Sequence, residues 1–290
     1  MNTNWKGTGV AVVTPFNSNG SVDYTSLEKI INHLINGGIE YLVILGTTGE
    51  TATLSEEEKA SIWKFVSEKN QGRVPLVAGI GGNNTAHVVE QLNTFDTKGY
   101  DAILSVSPYY NKPSQEGIFF HYMEVMKASK LPIIIYNVPG RTGSNITAET
   151  ILRLASASKK FIGVKEASGN LSQITRIIQN KPKDFFVISG DDNLTLPMMS
   201  FGVDGVISVS ANAYPRQMSD MVRAALKNDF QNASTFYNQL FEFTEAIFAE
   251  SSPAGIKVAL NKLDLCENVL RLPAVEASSA INQRILASMV

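Results

Sequence analysis

The chain has 290 residues, 44% hydrophobic and 18% charged, with a formal net charge of −2. This composition suits a soluble protein with a sizeable core, and the near-zero charge sets up no basic field to gather nucleic acid or an anionic membrane. A single cysteine, Cys266, excludes an intrachain disulfide; no apolar run approaches the ~20 residues that span a bilayer, residues 1–8 lack the apolar stretch of a secretory signal, and a cytoplasmic location is expected.

Apolar runs rich in Val, Ile and Leu fall at 10–16, 42–47, 75–80, 102–108, 132–137, 161–167, 185–189 and 206–210. Each is continuous rather than alternating, as in strands buried on both faces of a parallel sheet. Helical spacing appears between them. Over 24–36, Leu27, Ile30, Ile31, Leu34 and Ile35 share one face. Over 56–69, Ser55 stands at the N-cap and Glu58 three residues on, a capping-box pair. Thr147 introduces a third helix over 148–157, and Gly37, Gly38 and Gly99 sit where helices would stop.

Eight strand–helix units predict a (β/α)8 TIM barrel. A doubly wound open sheet would carry a Gly-rich first turn, whereas Thr14-Pro15-Phe16-Asn17 has no dinucleotide fingerprint. Beyond Ser210 the strand pattern stops. Residues 215–290 read as helices over 218–226, 233–248 and 253–263, more than a last barrel helix requires. They are expected to form a C-terminal helical subdomain appended to one domain spanning 1–290, because no low-complexity linker separates them.

In such barrels active sites lie at the C-terminal ends of the strands. Those positions hold Thr14, Gly46-Thr47-Thr48-Gly49-Glu50, Tyr109-Tyr110, Tyr136-Asn137 with Arg141 beyond, Lys165, Gly190-Asp191-Asp192 and Ile207-Ser208. Hydroxyls, one lysine, one arginine and few carboxylates do not make a metal centre, which needs several His or carboxylate ligands. His33, His87 and His121 fall in helical stretches and read as surface or partly packed residues. Glu50 and Glu166 make a poor glycosidase pair, since Glu166 should point away from Lys165's face of the strand. No metal and no cofactor are expected.

Lysine-centred covalent chemistry remains. Lys165 ends an apolar strand and alternates with Gly163 and Ala167, small residues that leave room around its stem. An unpaired ammonium there would be desolvated, which favours the neutral amine that attacks a ketone to give an imine. The bland alternative is a strand-end lysine that reaches solvent. Tyr136 closes Ile133-Ile134-Ile135 and offers a phenol for proton transfer, or simply a packed rim tyrosine. Thr47 and Thr48 offer hydroxyls and N–H groups for a carboxylate, or just a tight turn.

Gly46-Thr47-Thr48-Gly49-Glu50, Pro108-Tyr109-Tyr110-Asn111-Lys112-Pro113, Tyr136-Asn137-Val138-Pro139-Gly140-Arg141-Thr142 and Gly163-Val164-Lys165-Glu166 together resemble the dihydrodipicolinate synthase family, within the pyruvate-dependent class I lyases. The likeness runs from about Gly7 to Pro273. It implies condensation of pyruvate with aspartate 4-semialdehyde in lysine and diaminopimelate biosynthesis by a homotetramer, a dimer of dimers. It further implies an imine on Lys165, proton transfer by Tyr136, and a relay through Thr47 and Tyr110, the latter reaching in from a neighbouring subunit. Thr48, the backbone of Ile207 and Gly190 would bind pyruvate, and Arg141 the second substrate's carboxylate.

Arg141 and the paired tyrosines are unusual in N-acetylneuraminate lyases, so that reaction, or a 2-keto-3-deoxygluconate aldolase, is the same-fold alternative. A catalytically silent barrel that binds ligands is the alternative of another class. Ser252-Pro253 departs from the family's usual Asn-Pro. Feedback-regulated members hold lysine's ammonium with a glutamate where this chain has His87, and often carry histidines where it has Glu56 and Lys59. Weak or absent inhibition by lysine is therefore expected.

Overall fold

The computed structural model describes residues 5–290; residues 1–4, counted within the expected domain, lie outside them. Eight parallel strands close a barrel in sequential order: β1 Gly7–Ala11, β2 Tyr41–Ile44, β3 Leu76–Gly79, β4 Ala102–Val106, β5 Ile133–Asn137, β6 Phe161–Glu166, β7 Phe186–Ser189 and β8 Gly205–Ser208. The helices are α1 Tyr24–Asn36, α2 Glu56–Asn70, α3 Thr85–Thr94, α4 Gln115–Ala128, α5 Pro139–Thr142, α6 Ala148–Ala157, α7 Leu171–Asn180, α8 Thr195–Met199, α9 Pro215–Leu226, α10 Phe230–Phe248, α11 Ala254–Lys262 and α12 Ser279–Ser288.

Local chemistry accounts for the helix ends. Asp23, Ser55, Asn84, Ser114, Thr147 and Asn170 each accept an otherwise unpaired N–H of the first turn. The Ser55–Glu58 capping box forms as the spacing predicts. Helix α1 buries Leu27, Ile30, Ile31 and Leu34 against the barrel, while Ile35 is only partly covered. Truncating any of the four to Ala would cost about 2–5 kcal/mol.

Strand alternation divides the core in two. On β5, Ile133 and Ile135 face the helices, whereas Ile134 and Tyr136 face the barrel interior with Val43, Val77, Ile188 and Ile207. In register, Tyr136 stands beside Lys165 and Lys165 beside Ile188, so the lysine shares the interior face.

The strand bounds differ from expectation by a residue or two, and most at β1 and β2. The first strand is Gly7–Ala11 rather than 10–16, because Gly7-Thr8-Gly9 carries little strand propensity of its own. It is fixed by pairing, with Gly9 opposite Tyr41 and Ile207. Strand β2 stops at Ile44 because Leu45 turns left-handed at φ 59°. The C-terminal region contains a fourth helix, α12, which the periodicity did not separate because it buries only Ile285. Helix α9 packs on β1 and β8, α10 packs on α9, and α11 and α12 pack on α10.

Candidate active site

The two faces of β6 have opposite chemistry. Glu166 turns outward and is fully buried, accepting hydrogen bonds from Asn137 Nδ2 at 3.1 Å, the Ser168 N–H at 2.9 Å and Gln173 Nε2 at 3.2 Å. Burial pushes its carboxyl above the ordinary carboxylate range, and those donors act against the rise. Asn137 is pinned in turn by Asn145 and by the Ile146 N–H. This network ties the ends of β5 and β6 together, and so holds Lys165 on the opposite face.

Lys165 is 5% exposed, with its Nζ 4.5 Å from the centre of the Tyr136 ring. Among the described residues, no carboxylate lies within ion-pair distance of it. Room for its stem comes from Gly190: a Cβ there would lie 3.0 Å from Lys165 Cε and 2.7 Å from the Ala167 Cβ. The glycine is thus a spacer for the lysine, a role that strand parity assigned only to Gly163 and Ala167.

Loops after the strands supply the rest. Thr47–Gly49 forms a 3-10 turn, held to the β1 loop by Thr14 Oγ1 donating to the Gly49 carbonyl at 2.7 Å. A cavity of about 530 Å³ opens beside it, lined by Thr47, Tyr136 and Arg141 and continuing past Tyr109 to Lys59 and His87. Arg141 lies exposed on α5, and its side chain has no carboxylate or other hydrogen-bond partner among the described residues. Lys165, Thr48, Gly190 and Ile207 do not line this cavity. Thr48 and Ile207 are buried.

Tyr110 stands apart from these residues. It is 88% exposed at φ 71°, on a loop held by its N–H donating to the Thr142 carbonyl and by Asn111 Nδ2 donating to the Asn83 carbonyl. The three histidines lie on α1, α3 and α4. His121 goes beyond the surface or partly packed place expected of it: it is buried against Thr85, and burial pulls its imidazole down to about 4.

Sequence reading missed Lys257 and Arg271. Lys257 is fully buried on α11 and ion-paired with Glu50, at the end of the threonine turn. Its signal was a lone lysine within Ala254-Gly255-Ile256-Lys257-Val258-Ala259-Leu260, where every other side chain is apolar or absent. Among the described residues no group of three or more His, Cys, Asp or Glu is arranged to hold a metal ion, and no helix is long and apolar enough to cross a membrane.

A closed parallel barrel with an inward lysine at the end of β6 defines a carbon–carbon lyase of the class I, Schiff-base type. Comparison with known proteins narrows the class: the chain belongs to the dihydrodipicolinate synthetase family, which matches residues 4–289. It is 51% identical to the 4-hydroxy-tetrahydrodipicolinate synthase of Flavobacterium psychrophilum, over 96% of this chain and 95% of that one. The enzyme of the same name from Parabacteroides distasonis is 52% identical over 97% of this chain and 95% of its own. Among solved structures, the chloride-inhibited dihydrodipicolinate synthase of Acinetobacter baumannii complexed with pyruvate superposes with a TM-score of 0.94 at 37% identity, covering 98% of this chain and 97% of that one.

Proposed function

We propose that this chain condenses pyruvate with L-aspartate 4-semialdehyde, the 4-hydroxy-tetrahydrodipicolinate synthase reaction of lysine and diaminopimelate biosynthesis. The observation that carries the reading is Lys165: buried, without a carboxylate partner, and set under the ring of Tyr136 at 4.5 Å. Its amine nitrogen attacks the ketone of pyruvate, and loss of water gives the imine. The imine draws electrons from the methyl carbon, which loses a proton to become an enamine and then attacks the aldehyde carbon. Tyr136, whose ring centre lies 4.5 Å from the nitrogen, serves as proton donor and acceptor, and Thr47 continues the path at the cavity wall.

Thr48, the Ile207 backbone and Gly190 form the pyruvate pocket, with Gly190 acting by the space it leaves. Arg141 holds the aldehyde substrate's carboxylate, for which a planar guanidinium gives a two-pronged contact. Tyr110 completes the relay from a neighbouring subunit of a homotetramer; its exposure and left-handed backbone present it outward from its own barrel. The whole chain acts as one domain, in the cytoplasm. A coupled assay offering aspartate semialdehyde, N-acetylneuraminate and 2-keto-3-deoxygluconate side by side tests the substrate assignment. Turnover of the semialdehyde alone is expected, and cleavage of either sugar acid at a comparable kcat/KM would overturn it. Mixing Tyr110→Phe with Lys165→Ala under subunit exchange should regenerate activity; a dead mixture would place Tyr110 in its own chain's site.

A further inference from the structure

Two residues that carry side chains yet adopt left-handed backbone bracket the threonine turn: Leu45 at φ 59° and Glu50 at φ 51°. That conformation is disfavoured for any residue with a Cβ and persists only where the surroundings impose it. At Leu45 the surroundings leave room for it: an added Cβ at Gly79 would meet the Leu45 carbonyl oxygen at 2.2 Å. At Glu50 the surroundings are the C-terminal region. The buried Glu50 carboxylate pairs with Lys257 Nζ and accepts the Arg271 N–H at 3.2 Å.

Lys257 also donates to the Val269 carbonyl at 2.7 Å and lies 4.4 Å from the centre of the Phe16 ring. The Arg271 guanidinium lies 4.5 Å from that same ring centre, pairs with Glu58, and donates to the Gly20 and Thr53 carbonyls. Apart from the Lys257 bond to Val269, the donors on these two side chains go to the segment that begins at Glu50 or to the Gly20 carbonyl. Burial pulls the Lys257 ammonium down from its ordinary value, and the Glu50 carboxylate pushes it back. A fully buried ion pair is a poor source of net stability, since apolar residues of the same volume do as well. What it supplies here is a fixed place for Glu50, three residues from Thr47.

We propose that Lys257 is a positioning residue for the pyruvate site: through Glu50 it sets the Thr47–Gly49 turn, so that the C-terminal helices are part of substrate binding rather than an appendage. The inference rests on the reading of the barrel mouth as a pyruvate site. Borohydride trapping of pyruvate on the unsubstituted protein tests that reading first, and its failure would sink both.

With trapping established, Lys257→Met and the double variant Glu50→Gln/Lys257→Met are compared by Tm and by KM for each substrate. Removing only the lysine strands a buried carboxylate and lowers Tm; neutralising both recovers Tm. Pyruvate KM is expected to rise at least about tenfold in both variants, with the aldehyde KM within about twofold of the original. A purely structural role would instead lower the active fraction and leave KM alone. Pyruvate KM at the original value in either folded variant, or recovering along with Tm in the double, overturns the proposal. Should neither variant fold, Arg271→Met decides: its pyruvate KM rises about threefold if the clamp is real and stays put if it is not.

Discussion

Gly190→Ala probes the packing around Lys165 with a single methyl group. The new Cβ would come within 2.7 Å of the Ala167 Cβ, 3.0 Å of Lys165 Cε and 3.2 Å of Lys165 Cγ, all closer than carbon–carbon contact of about 3.5–4.0 Å. Relief requires the lysine stem to move by several tenths of an ångström, since Ala167 sits on strand-end backbone bonded to the Asn137 carbonyl. Overpacking of this kind costs about 1–3 kcal/mol, which for a chain of this length lowers Tm by about 2–5 °C. The catalytic penalty is comparable in free energy, because a misplacement approaching 1 Å at a reacting atom costs roughly a hundredfold. We therefore expect kcat/KM to fall by about ten- to a hundredfold, with a matching fall in the rate of pyruvate trapping. Stopped-flow trapping and steady-state assays on the folded variant measure both. Retention of the original trapping rate, despite the added methyl, would refute the spacer role.

Arg141→Ala should raise KM for the aldehyde substrate by one to two decades, the equivalent of ~1.5–3 kcal/mol, while pyruvate trapping survives; equal losses for both substrates would show a structural role instead, and Arg141→Lys should rescue only partly. Free lysine should inhibit only above about a millimolar, because the Glu56 carboxylate is already taken by Lys59 at 2.8 Å and Gln91 at 3.0 Å, and Lys59 lines the cavity; initial rates at saturating pyruvate measure this, and sub-millimolar half-inhibition contradicts it. Glu58 is held down to about 2 by the Arg271 guanidinium. A depressed carboxyl contributes stability that is present above its unfolded value and is lost as pH falls through its folded one. Thermal scans should therefore show a stability loss from about pH 4.5 toward 2 that is shallower in Glu58→Gln; identical slopes would show that the pair contributes nothing.

The barrel was legible because its strands are continuous apolar runs, and Lys165 was legible because strand parity puts it on one face with two small residues. The same parity argument sent Glu166 outward, where it is found fully buried among amide donors. Strand β1 was misplaced because its start, Gly7-Thr8-Gly9, has little strand propensity and is held by partners distant in sequence. Gly190 was named for its position at a strand end, but its reason, a clash with Lys165, exists only once β6 and β7 lie side by side. The pairing of Glu50 with Lys257 joins residues 207 apart, beyond the reach of any local pattern. Tyr110 shows the opposite limit: the motif names it, and its own chain leaves it exposed.

The most direct measurement is the mass of the intact protein after incubation with pyruvate and borohydride. Reduction of an imine on Lys165 predicts that each chain gains the mass of pyruvic acid less one oxygen, that the gain maps to the peptide containing Lys165, and that Lys165→Ala gains nothing. No mass gain in the unsubstituted protein, or the same gain in Lys165→Ala, would contradict the account.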